Sequence, residues 1–267
     1  TDHRSGGYRV SQIYDMTKLY FLGSMRRQVH LATLFLGVLL FMLPAYVNAF
    51  SLGINAFERV SKDFGLTMIN YFGVGMAILL ASSAIPKDIE NRSLYPILAR
   101  PVNRSGYILA HFLAVALLLA MSFTFLGLSL SVAISAMTRD LELAIFLPLF
   151  CSYILSCVIA AFCIAVSTVA SPALAGTAGA FVFLVGSLPG AFIRFFLVED
   201  RDSTFALALA TGLKSILPNL SVFALKAPIV HDIAFNPLYV PAVIAYGLQW
   251  IAIFLLFATI LFGRRDL

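Results

Sequence analysis

Apolar residues in this chain fall into long blocks separated by short charged clusters. Six blocks stand out, at roughly 30–50, 68–85, 107–136, 143–169, 174–192 and 239–262. Each is long enough to approach the ~20 residues an α-helix needs to cross a hydrocarbon layer of ~30 Å, and longer than the usual buried core segment. The pattern predicts an all-α, polytopic membrane protein with about six transmembrane helices, forming a single transmembrane domain over 1–267.

Before the first block, Ile13, Met16, Leu19, Tyr20 and Leu22 fall near one helical face, with Lys18, Arg26 and Arg27 placed to meet lipid head groups. An interfacial helix over 10–28 is predicted. No short apolar stretch followed by a small-residue cleavage site precedes the first block, so that span is expected to act as its own insertion signal. Residues 194–238 are too charged to span, although Phe205–Leu217 is largely apolar. Short extracytoplasmic helices are expected there, with a seventh span or a re-entrant hairpin as the rival topology. Pro44, Pro148 and Pro189 lie inside blocks and predict kinks. The pairs Ala161 with Ala165, Ala175 with Gly179, and Gly186 with Gly190 would permit close helix contact.

Composition agrees with the pattern. Of 267 residues, 61% are hydrophobic and 12% charged, with a mean hydropathy of +0.95; a soluble domain is roughly half apolar and a quarter charged. The net charge of +5 comes with no basic stripe interleaved with aromatics, so no nucleic-acid partner is expected. Charge instead reports orientation. The side holding both termini and the 86–106 loop carries eleven Lys and Arg against five acids, and the other side seven against eight. Both termini are therefore expected in the cytoplasm, in a cytoplasmic (inner) membrane. Cys151, Cys157 and Cys163 are six residues apart, about 240° of helical rotation each, so they share no face and imply neither a metal site nor a disulfide.

Candidate chemistry is sparse. The sequence contains no Walker-type phosphate loop, no HExxH and no GxSxG, so it offers no route of that kind to ATP, a zinc site or a nucleophile elbow. His111 is the main titratable group within a block, and a lone His there is more often packed than a proton carrier. A polytopic protein of this kind is either passive or driven by a partner.

The loop 86–106 holds more pattern than a tether needs. On a helix over 88–98, Ile89, Leu94, Ile97 and Leu98 form an apolar stripe, while Asp88, Glu90, Arg92 and Arg100 point to water or a partner. Pro101 then stops it. In this loop the sequence resembles the ABC type-2 transporter permease family, whose first cytoplasmic loop carries an acidic residue, a short Leu-rich helix and a Pro-Val-Ser-Arg turn before the next span. Glu90, Leu94, Tyr95, Ile97, Leu98, Arg100, Pro101, Val102, Asn103, Arg104 and Tyr107 follow that order. The stretch Leu217–Phe223 and the terminal Phe262–Leu267 also look like the family. The chain departs from it at Arg92–Ser93, where a Gly-Thr pair is common, and at Ala110–His111, where Gly-Lys is common.

The resemblance implies a permease subunit of an ATP-binding cassette transporter, an exporter of a hydrophobic or amphipathic substrate, with no catalytic, metal or cofactor residues of its own. ATP and Mg would be bound by cytoplasmic P-loop ATPase subunits, and a second permease copy or a paralogue would complete the pathway within membrane lipid. The loop would be a coupling helix contacting the ATPase through Asp88, Glu90, Arg92, Leu94, Tyr95, Ile97, Leu98, Arg100, Pro101 and Arg104. The alternative readings are a passive channel or scaffold, and a membrane-embedded enzyme built on His111. The short segment Val169–Gly176 is either a second, smaller contact or a tight interhelical turn at Pro172.

Overall fold

The computed structural model describes residues 14, 16–21, 23, 29–48, 54–86, 104–138, 143–187, 218–225 and 238–263. Among these residues there is no strand, and six apolar helices carry the fold: α1 (Val29–Asn48), α2 (Ile54–Ser82), α3 (Arg104–Thr138), α4 (Phe146–Ser167), α5 (Pro172–Ser187) and α6 (Tyr239–Gly263). Helical turns also run through 16–21, ahead of α1. Segments within α2, α3, α4 and α6 are long and apolar enough to cross a membrane, with α1 and α5 as shorter apolar helices. The chain is an all-α, polytopic membrane protein.

Successive helices alternate in direction. The finish of α2, the start of α3 and the α4–α5 turn lie at one end of the bundle, hereafter the loop end. The finish of α3, the start of α4 and the finish of α5 lie at the other, the far end. α4 is the axis: α2, α3, α5 and α6 all pack on it, and 72% of its membrane-length window is buried, against 17% for α6. With no water to drive helices together inside a bilayer, close packing through small residues must do it. Ala160, Ala161 and Ala165 on α4 are fully or almost fully buried. A side chain at Gly179 of α5 would run into Cys163 of α4, so the Ala175–Gly179 and Ala161–Ala165 pairs serve the close approach their spacing predicts. Gly190 lies outside the described residues. α1 joins α3 where Ser129 Oγ donates to the Gly37 carbonyl at 2.7 Å and Phe125 covers Gly37.

On α3, Leu109, Leu113, Leu117, Met121, Leu128 and Val132 form an outward stripe, spaced to lie along one side of a helix and to face lipid. The rest of the helix turns inward: Ile108, Leu119, Leu126, Leu130 and Ile134 are at most 1% exposed.

Two sequence expectations are revised. α2 begins at Ile54, fourteen residues before the expected span. Its 29 residues make about 44 Å of helix, roughly 14 Å more than the hydrocarbon core. The surplus corresponds to the turns bearing Glu58, Arg59, Lys62 and Asp63, where Lys62 pairs with Glu58 across one helical turn. Pro148 is the third residue of α4, where its missing N–H would be unsatisfied in any case, so it opens the helix and does not kink it. Pro44 does lie inside α1. Pro172 is the first residue of α5, behind Ser171, whose carbonyl accepts from Ala175 N–H at 3.0 Å. Val169–Gly176 is accordingly a tight turn running into the first turn of α5.

Candidate functional site

Of the residues expected to form a coupling helix, Asp88, Glu90, Arg92, Leu94, Tyr95, Ile97, Leu98, Arg100 and Pro101 lie outside the described residues, and Arg104 is the first residue of α3. What the structure describes is the seat on either side. Ile85, just before the loop, is fully buried, and Tyr107 and Ile108, just after it, are at most 3% exposed. His111, one turn further, stacks on Tyr20 at a centroid distance of 3.8 Å and meets Tyr107 edge-on at 4.7 Å. Tyr107 in turn stacks on Phe262 at 5.5 Å. These rings join the N-terminal helical turns, the start of α3 and the finish of α6 beside the loop. His111 is a packed member of that cluster, the bland reading of its position in the sequence.

The far end holds a feature that no single stretch of sequence announces. Asn219 caps a 3-10 turn, Leu220–Phe223, by accepting from Ser221 N–H at 3.3 Å and from Ser221 Oγ at 2.6 Å. The turn is pinned to α6 twice: Asn219 N–H donates to Tyr246 Oη at 2.8 Å, and Tyr239 Oη donates to the Val222 carbonyl at 2.8 Å. Two glycines make room for it. A side chain at Gly186 of α5 would press on Leu220 and on the Pro218 carbonyl at 2.9 Å, and one at Gly247 of α6 would meet Phe223 at 3.2 Å and overlap Ile154 of α4. The family-like stretch Leu217–Phe223 is thus, from Pro218 onward, a plug wedged among α4, α5 and α6.

Beneath this plug a cavity of about 260 Å³ opens between α2, the start of α4 and the finish of α5. Its polar lining is Thr67, Asn70, Tyr71, Ser152, Ser187 and Ser221, none of them charged, and Phe183, Leu220 and Phe223 are among its apolar walls. Tyr71 meets Phe183 edge-on at 5.9 Å. Asn70 Oδ1 is buried with no hydrogen-bond partner among the described residues. Sequence reading missed this site because its residues come from four segments, and isolated Ser, Thr and Asn inside spans carry no spacing signal. Among the described residues no group of three His, Cys, Asp or Glu converges to hold a metal. The three cysteines of α4 are free and buried.

Apolar helices of membrane length surround a cavity with no charged group among its described lining residues. Residues 17–267 match the ABC-2 family transporter proteins, and the chain belongs to that family. It is a permease subunit of an ABC-type transporter. No individual curated protein matches it significantly.

Proposed function

We propose that this permease is the membrane half of an exporter moving a hydrophobic or amphipathic substrate, driven by separate cytoplasmic P-loop ATPase subunits that bind ATP and Mg. The observation that carries the reading is the division of the chain's chemistry. The sequence has no phosphate-binding loop, and among the described residues no charged group lines the cavity, whereas the 86–106 segment gathers acids, arginines and a Leu-rich stripe. Ion-coupled carriers place carboxylates or basic groups along their path; here the energy source is sought outside the bundle.

In this reading 86–106 is the coupling loop. Leu94, Ile97 and Leu98 enter a groove of the ATPase, and Asp88, Glu90, Arg92 and Arg100 form the polar rim of the contact. The loop lies between α2 and α3, which pack on each other and on α4, so a displacement there is passed to the axis of the bundle. Residues 10–28 lie along the cytoplasmic membrane surface, 194–238 on the opposite side, and a second permease copy or a paralogue completes the pathway.

The test is a mild-detergent pull-down of the tagged chain, with identification of partners and an ATPase assay of the eluate. A stoichiometric P-loop ATPase should copurify, and Leu94→Asp or Glu90→Lys should release or uncouple it while membrane insertion is retained. Intact assembly and turnover in both variants would remove the coupling role, and a stable chain with no ATPase would favour the channel or scaffold.

A further inference from the structure

We infer that the outward face of α6 is a contact surface for a second copy of this chain, held α6 to α6 by a pair of Gln249 side chains at the middle of the membrane. The inference rests on the reading that the permease works as a pair, and it names the face that joins the two copies.

Gln249 is out of place on a surface that meets lipid. The 25 residues of α6 centre on Ile251, and Gln249 lies about 3 Å from that level along the helix axis, with roughly 15 Å of hydrocarbon on either side. It is exposed on the outside of the bundle and makes no hydrogen bond with any described residue. Hydroxyls on the spans answer the same problem within their own helix: Thr124 donates to the Ala120 carbonyl at 2.8 Å, and Thr259 to the Leu256 carbonyl at 2.7 Å. A carboxamide brings two N–H donors and an acceptor oxygen, and lipid tails answer neither.

The helix cannot turn this amide inward. Gly247, two residues before it, sits against Ile154 of α4 and Phe223 of the plug. Trp250, the next residue, meets Phe254 at 5.3 Å, and Phe254 meets Phe162 of α4 edge-on at 5.3 Å. These contacts fix the rotation of α6. Its buried positions are Val243, Gly247, Ala258 and Phe262, and Gln249 falls about half a turn away from them.

Spacing points to the occupant. Ala242, Ala245, Gln249, Ala252 and Leu256 are all exposed, and they recur at alternating steps of three and four residues, the repeat by which two helices wrap in a left-handed pair. The alanines let a second backbone come close. Copies inserted by the same route run parallel, and a parallel pair sets equivalent positions face to face. Gln249 then meets Gln249 of the other copy, each amide donating to the other's oxygen. Any different partner would have to bring its own polar group to this depth, whereas a second copy supplies one by symmetry. The plug is tied to the same helix through Tyr239 and Tyr246, so the paired helices would hold the two plugs beside one axis.

The experiment uses the full-length chain in membranes, with Cys151, Cys157 and Cys163 replaced by Ala. Single cysteines are placed on the stripe, Ala245→Cys and Ala252→Cys, and off it, Phe257→Cys; Phe257 is 53% exposed, so chance collisions reach it as well. Under copper-phenanthroline oxidation the stripe cysteines should cross-link to a dimer about fivefold faster than Phe257→Cys. Gln249→Leu should slow that cross-linking about tenfold, the scale of interhelical side-chain hydrogen bonds in membranes, and Gln249→Asn should keep most of it. No cross-link at 245 or 252, equal rates at all three positions, or rates unchanged by Gln249→Leu would each overturn the proposal. Should Gln249→Leu fail to insert, the comparison of 245 and 252 with 257 decides alone. Copies bearing two different tags that copurify without this cross-link would keep a paired permease and discard this face, and an ATPase missing from the pull-down would leave the face standing.

Discussion

Individual residues in this bundle act mainly by being small or by being placed where a backbone group needs a partner. Gly247 is the sharpest case, since its missing side chain admits both Phe223 of the plug and Ile154 of the axis helix. Gly247→Val should force the plug away from α6 and lower stability by about 1–3 kcal/mol, the usual range for overpacking, read as a fall in the thermal midpoint of the detergent-solubilised chain. An unchanged midpoint would mean that Ile154 and Phe223 yield freely. The tyrosines are subtler. Removing the Tyr239 hydroxyl, which donates to the Val222 carbonyl, should cost about 0.5–1.5 kcal/mol, the net worth of one hydrogen bond. Tyr239→Phe should therefore shift the same midpoint less than Gly247→Val; an equal or larger shift would contradict the steric account.

At the scale of elements, hydropathy made the six helices legible, because an apolar run of membrane length has few other uses. It misplaced the start of α2 because hydropathy registers where a helix leaves the hydrocarbon, and α2 continues beyond it with Glu58, Arg59, Lys62 and Asp63. Pro148 was misread for a related reason: a proline is a kink or an opening according to which turn it occupies, and the helix start was not visible in a uniformly apolar stretch. The plug was visible as a family-like string, but its anchoring depends on Tyr239, Tyr246, Gly186 and Gly247, distant in sequence and ordinary in type. The extra turns of α2 carry their own test. Lys62 is only 7% exposed, so Glu58→Gln should cost about 1–3 kcal/mol, between the values for exposed and buried pairs. A neutral Glu58→Gln would show that the pair contributes nothing.

For the whole molecule, the alternation of helices commits the chain to a sidedness that labelling can read. The finish of α2, the start of α3 and the α4–α5 turn share one end, and the finish of α3, the start of α4 and the plug share the other. In a background without Cys151, Cys157 and Cys163, a cysteine at position 91 and one at 140 should react from opposite sides of sealed vesicles, with position 91 reacting from the cytoplasmic side. Labelling of both from one side would contradict the alternation; reversal of both would contradict the orientation drawn from charge.

The turn between α4 and α5 is four residues long, Thr168–Ser171, and even stretched it covers no more than about 14 Å. Val169 and Ala170 both donate back to the Val166 carbonyl, at 3.1 and 2.9 Å, which takes up what reach there is. The two helices therefore behave as a hairpin with almost no slack. Its far ends supply Ser152 and Ser187 to the lining of one cavity, so a tilt imposed on its bend would be delivered, over the length of the bundle, as a change in the shape of that cavity.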